Sequence, residues 1–296
     1  TKSRNTNYFY IDDYRGEVNL DDLGNIYVAT SSEYNSFPIS VDAAKAIYTG
    51  SQSGVVFSLD PGLRQLRWST YYGGNGKDAL YSIDLNSQNE VVIAGGTTST
   101  NLAGVEDGYQ STNSGGIAEG FICKLDPTGK SILGATYFGT SSYDQILLAE
   151  LDQEDRIYVA GHTEGNFGVK GNVYSNANGK QFVSRFSANL DSLELNAVYG
   201  SGRSLPDITI NAFLVDECGK VYVSGWGTDS ERAGQNLRNM PLSPNAFQST
   251  TDGQDFHLIV FTENLAALDF ATYYGGNRTG DHVDGGTSRF DKKGIV

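Results

Sequence analysis

Two aspartates and a histidine stand within four residues at Asp281-His282-Val283-Asp284, followed by two glycines. Carboxylate and imidazole at that spacing can hold a metal ion or carry a proton. The same stretch equally suits a strand entry with a bulge, the histidine bonded to a neighbour, and short motifs of this kind are often accidental. A second pattern runs the length of the chain. An aspartate recurs at Asp13, Asp78, Asp144, Asp207 and Asp281, each 13 or 14 residues before a strand phrase such as Ile26-Tyr27-Val28-Ala29. A ring of carboxylates could ligate calcium or act as acids. An active site seldom repeats its key residue in every unit, so the preferred reading is structural: each carboxylate accepts backbone N–H groups and pins a turn. Trp226 follows a strand and opens the longest loop; exposed, it would stack on a sugar, and buried, it would pack between sheets. Trp226, Asp281, His282 and Asp284 are therefore the ligand-binding candidates. No catalytic constellation stands out, and the single histidines His162 and His257 read as packing or surface residues.

Composition narrows the partners. The 296 residues carry 21 Lys and Arg against 35 Asp and Glu, a net charge of −14. Nucleic acid and anionic membranes call for a positive footprint, so both are disfavoured. Thirty-six glycines and 32 Tyr and Phe, with six prolines, suit short strands and tight turns. Cys123 and Cys218 are too few for a disulfide framework or a cysteine zinc site and read as buried small apolar residues. No apolar run is long enough to span a membrane. The chain starts without Met and stops in mid-phrase at Gly294-Ile295-Val296, which reads as a piece of something longer. No cofactor is expected, calcium being the one candidate.

The elements that must position these residues come from repetition. Trp68 to Gly74 reads WSTYYGG; the phrase returns as ATYFG at 135–139, AVYG at 197–200 and ATYYGG at 271–276. The second-strand phrases at Val28, Ile93, Val159 and Val223 are 64 to 66 residues apart. Each period holds four short strand candidates, for example Glu17–Leu20, Ile26–Ala29, Gly54–Leu59 and Leu66–Tyr72 in the first. The expected fold is an all-β propeller, or part of one, built of four-stranded antiparallel blades. Four complete repeats lie at about 13–74, 75–140, 141–202 and 203–277, with a partial fifth at 278–296. The surplus residues fall between the second and third strands of every repeat, which puts the long loops on one face, where binding is expected.

The ordered phrases resemble the SBBP repeat, named for a seven-bladed β-propeller. The resemblance rests on Asn25 to Ala29, Ser36-Phe37-Pro38, Lys124-Leu125-Asp126-Pro127-Thr128-Gly129 and Trp68 to Gly74, and covers nearly all of residues 13–296. The third unit departs from it, closing only with Ala-Val-Tyr-Gly after the turn Ser187-Ala188-Asn189-Leu190. The resemblance implies a large secreted or cell-surface protein of Bacteroidota that uses type IX secretion.

The leading expectation is a non-enzymatic extracellular module for adhesion, glycan binding or protein scaffolding, with a surface glycan or protein as partner. A propeller glycan hydrolase or lyase working at Asp281, His282 and Asp284 is the alternative. A structural part of a secretion or gliding-associated assembly is a third.

Overall fold

The computed structural model describes residues 16–176, 178–227, 236–276 and 281. Over these residues the chain forms four antiparallel sheets of four strands, with one three-residue 3-10 turn at Glu263–Leu265. The first sheet holds β1 (Glu17–Leu20), β2 (Ile26–Ser32), β3 (Ser53–Leu59) and β4 (Leu66–Tyr72). The second holds β5 (Asp78–Leu85), β6 (Val91–Thr97), β7 (Glu119–Leu125) and β8 (Ile132–Phe138). The third holds β9 (Asp144–Leu151), β10 (Ile157–Thr163), β11 (Gln181–Phe186) and β12 (Leu193–Tyr199). The fourth holds β13 (Thr209–Val215), β14 (Val221–Trp226), β15 (Phe256–Phe261) and β16 (Leu268–Tyr274). Strands adjacent in sequence are adjacent in each sheet, so every repeat is a simple meander. The strands stand where the repeated phrases put them. Those that open the second and third repeats begin at Asp78 and Asp144, which makes these aspartates strand residues.

Burial explains the sequence pattern. β6 (VVIAGGT) is buried along its whole length because it has a sheet on either side, whereas β15 alternates, burying His257, Ile259 and Phe261. The apolar core is divided among three interfaces between consecutive sheets. Tyr27, Val56 and Tyr72 of the first sheet meet Ile93, Phe121 and Tyr137 of the second. Ala94, Ile122 and Phe138 of the second meet Val159, Phe182 and Phe186 of the third. Tyr158, Val183 and Tyr199 of the third meet Phe213, Val223 and Phe261 of the fourth. At one edge the opening strands lie side by side: β5 touches β1 and β2, β9 touches β5 and β6, and β13 touches β9 and β10. Consecutive blades of a propeller stand in this way.

One repeated glycine position and one turn glycine have a local cause. Gly95, Gly161 and Gly225 lie where the second strand passes a bulge in the first, and a Cβ at Gly95 would stand 1.9 Å from the Ala79 carbonyl oxygen. The first repeat has an unbulged β1 and carries Thr30 there instead. In the Asp-Pro-Thr-Gly turn, Asp126 Oδ1 accepts from the Lys130 and Ser131 amides at 2.7 Å, and Gly129 takes φ +66°. Its Cα lies against the Trp68 ring, so the closing phrase of one repeat packs under the turn of the next.

First and third strands run opposite to second and fourth. The connections within a repeat at 33–52, 98–118, 164–180 and 227–255 therefore share one face with the links from each fourth strand to the next first strand.

Candidate carboxylate site on the loop face

The repeated aspartates lie on that face and build a clasp between repeats. Asp78, fully buried, accepts from the Gly74 amide at 2.8 Å, from Ser99 Oγ at 2.9 Å and from Thr97 Oγ1. Asp144 accepts from the Thr140 amide at 2.6 Å, from Thr140 Oγ1 at 2.8 Å and from Thr163 Oγ1. Asp207 accepts from the Ser201 amide at 2.8 Å and pairs with Arg203 Nε at 3.0 Å. Asp281 accepts from the Gly276 amide at 2.7 Å. Asp78, Asp144 and Asp207 thus each tie down the link that enters their own first strand. The oxygens of Asp78 and Asp144 are taken up by these amide and hydroxyl contacts. Asp13 lies outside the described residues.

A second position in the clasp varies. The residue at or just before the start of each third strand is Ser53, Glu119, Lys180 or Asp255. In the second and fourth repeats it is acidic, and a glutamine reaches it from the long loop. Gln110 Nε2 approaches Glu119 Oε2 at 3.4 Å while Gln110 Oε1 accepts from the Gly139 amide at 3.2 Å. Gln248 makes the same two contacts with Asp255 and Gly275, at 3.3 and 3.2 Å. The glutamine is held by the closing phrase: Thr136 Oγ1 accepts from the Gln110 amide at 2.9 Å, and Thr272 Oγ1 from that of Gln248 at 2.8 Å. Sequence reading missed these residues. The signals that could have found them are the twin phrases Gly108-Tyr109-Gln110-Ser111-Thr112 and Ala246-Phe247-Gln248-Ser249-Thr250.

Glu119 and Asp144 are therefore neighbours. A Cβ built on Gly139 would stand 2.8 Å from Glu119 Cγ and 3.1 Å from Asp144 Oδ2. Burial, with the adjacent Asp144 charge, pushes the Glu119 carboxyl up to about 7, against the opposing hydrogen bond from Ser114. Burial also raises Asp144. Burial favours the protonated form of both carboxyls, and at Glu119 the Asp144 charge adds to it. Beside the Asp144 clasp lies an open cavity of about 400 Å³ lined by Thr140, Ser141, Ser142, Glu164, Gly165 and Asn166. The Thr140 hydroxyl bonded to Asp144 connects the buried pair to this polar space.

The other candidates fall elsewhere. Trp226 is only 6 % exposed and paired within its sheet to Thr209 and Phe256, so its ring is not available to stack on a sugar. His282 and Asp284 lie outside the described residues. His162 and His257 are both buried: His162 stacks on Tyr143, and His257 Nε2 donates to the Pro241 carbonyl at 2.9 Å. Cys123 packs in the first interface, but Cys218 is exposed, because the turn after β13 carries it clear of the sheet. Among the described residues no three His, Cys, Asp or Glu side chains come together as a metal site, and no helix is long and apolar enough to cross a membrane.

No protein-family model matches the sequence, and no curated protein matches it. Among solved structures the chain is similar to an exo-β-1,3-galactanase from Phanerochaete chrysosporium with β-1,3-galactotriose, at 10% identity over 86% of this chain and 48% of that one, TM-score 0.39. It is also similar to an α-L-arabinofuranosidase from Podospora anserina in complex with cellotriose, at 9% identity over 88% of this chain and 90% of that one, TM-score 0.33. The chain spans about half the length of the galactanase. Both proteins are glycan-cleaving enzymes, and the expectation of a non-enzymatic module for adhesion, glycan binding or scaffolding is corrected accordingly and not carried forward.

Proposed function

We propose that this chain is a propeller-fold glycan hydrolase whose reaction centre is the polar cavity beside the Asp144 clasp. The observation that carries the reading is a carboxyl held protonated to about pH 7 beside a second carboxyl, which adjoins a cavity lined by hydroxyls and a further carboxylate. Glycoside hydrolysis needs a proton for the departing oxygen and a carboxylate to take one from water or to attack the sugar carbon. Glu164, partly exposed on the cavity wall, is the carboxylate that faces the sugar. Asp144, which burial favours in its protonated form, supplies the proton: the Thr140 hydroxyl, which donates to Asp144 in the resting structure, turns to give its proton to the leaving oxygen as it takes the one from Asp144. The hydroxyls of Ser141 and Ser142 and the Asn166 amide suit the hydroxyls of a sugar ring. Of the centre expected around Asp281, His282 and Asp284, only Asp281 lies among the described residues. Asp144 has clasp counterparts in Asp78, Asp207 and Asp281, and Glu119 has one in Asp255, so the residue that distinguishes this site is Glu164.

Membership of the SBBP repeat family, ring closure by further blades and an extracellular or cell-surface setting belong to the same proposal. They rest on the ordered repeat phrases and on the four blade-like sheets. The test is incubation of the chain with neutral and acidic polysaccharides between pH 5 and 8, measuring released reducing ends. Release that falls at least a hundredfold in both Glu164→Gln and Glu119→Gln supports the assignment. Absence of release from every polysaccharide, or release indifferent to both changes, overturns it.

A further inference from the structure

A second cavity opens on the same face one interface away, between the first and second repeats, and has no part in the reaction centre above. It measures about 250 Å³ and is lined by Ala44, Lys45, Thr49, the Tyr72–Asn75 link, Asn101, Ala103 and Ile132. The protein carries a large negative charge, yet the one charged group on this wall is the half-buried Lys45 ammonium. Its Nζ donates to Thr49 Oγ1 at 2.6 Å and to the Gly73 carbonyl. Burial lowers the Lys45 pKa and the Asp78 charge opposes that drop, so the Asp78 clasp helps keep the ammonium charged.

The hydrogen-bonding balance of the wall is lopsided. Four of its acceptors are engaged: the Gly73 carbonyl by Lys45, the Gly74 carbonyl by Thr49 Oγ1 at 2.6 Å, the Ala103 carbonyl by the Tyr72 hydroxyl at 3.1 Å and Asn101 Oδ1 by the Asn75 amide at 2.8 Å. Donors are left over. An ammonium has three N–H groups, and among the described residues two are used. The Asn101 side-chain NH₂ makes no hydrogen bond within the described residues. Ala44, Ala103 and Ile132 supply an apolar side. A ligand that presents acceptors, carries a negative charge and has a body of about one sugar ring suits the Lys45 and Asn101 donors and the apolar side of this wall.

We propose that this cavity binds a small carboxylate, with the carboxylate oxygens on Lys45 Nζ and Asn101 Nδ2 and the body against Ala103 and Ile132. The chemistry is shared by a uronate residue of an acidic polysaccharide and by a free organic acid. The proposal does not rest on the hydrolase reading, since it concerns other residues and is read by binding alone.

The experiment is titration of the intact chain with galacturonate, galactose and acetate, followed by calorimetry. Galacturonate is expected to bind and galactose to bind at least tenfold more weakly, because it lacks the charge. Acetate much weaker than galacturonate identifies a uronate as the source; acetate of equal strength identifies a free acid, and both outcomes support a carboxylate site. Lys45→Met is expected to weaken galacturonate tenfold or more. Lys45 also supports the Gly73 link, so Ala103→Phe is the second variant: it fills the cavity, leaves the Ala103 carbonyl in place, and is expected to abolish binding without loss of folding. Galactose binding as well as galacturonate, no carboxylate binding at millimolar concentration, or binding unchanged in a folded Ala103→Phe protein overturns the proposal.

Discussion

Glu119 and Asp144 flank Gly139 so closely that a methyl group there would touch both side chains, although one residue opens the third strand of its repeat and the other the first strand of the next. Burial of Glu119, with the Asp144 charge beside it, gives stability a definite pH dependence. Glu119 titrates near 7 in the folded chain and near 4.5 when unfolded, so between those values the folded state holds the extra proton. Its contribution is favourable below about 4.5 and is lost as pH rises to 7, by up to about 3 kcal/mol. Glu119→Gln, which cannot ionise, is expected to be more stable than the parent at pH 8 and no more stable at pH 4.5. Urea unfolding at the two pH values checks this, and a variant less stable at pH 8 contradicts it. Gain of stability with loss of glycan cleavage separates a chemical role from a structural one.

The clasp aspartates depend on hydroxyls from the second strand. Thr97→Val keeps the shape of the side chain and removes one of the three donors to Asp78. A buried carboxylate deprived of one partner costs about 1–3 kcal/mol. Thr163→Val does the same to Asp144 and is expected to cost a similar amount. Denaturant midpoints of the two variants measure both; losses below about 0.5 kcal/mol in both would mean that the clasps are not needed for stability.

The sheets were legible because each strand is written four times. Leu66–Tyr72, Ile132–Phe138, Leu193–Tyr199 and Leu268–Tyr274 end in kindred phrases, and alternation or continuous apolar character follows from one or two packed faces. The site was not legible, for two reasons. Glu119 and Asp144 are joined only when the link after β8 folds back, and the glutamine that marks the acid stands nine residues ahead of Glu119 but seven ahead of Asp255. Glu164 lies in a loop without a counterpart phrase. Trp226 shows the converse error: a residue at the mouth of a loop is buried when its backbone still belongs to the sheet.

The two thiols are expected to separate cleanly in labelling. Cys218 is exposed, whereas Cys123 is buried and burial pushes its thiol well up. The thiolate is the reactive form, so iodoacetamide at pH 8 should modify one cysteine in the native chain and two in urea. Mass spectrometry of the native sample reads the result. Rapid modification of Cys123 without denaturant would show that the interface of the first two sheets opens.

His257 makes the fourth sheet sensitive to acid. In the sheet register it faces Gly225, the position at which Phe121 faces Gly95 and Phe182 faces Gly161. Its imidazole is buried, donates from Nε2 to Pro241, and leaves Nδ1 without a partner among the described residues. Burial holds its pKa down at about 4, against the favourable Pro241 carbonyl. The folded value lies below the unfolded one, near 6.5, so this stability is present above 6.5 and lost as pH falls toward 4, by about 3 kcal/mol at most. His257→Phe installs the residue that the two preceding repeats use and removes the titrating group. The variant is expected to fold and to lose less stability than the parent between pH 6.5 and 4. Thermal unfolding across that range decides the point: equal slopes for both proteins would show that the imidazole becomes charged without leaving the fold.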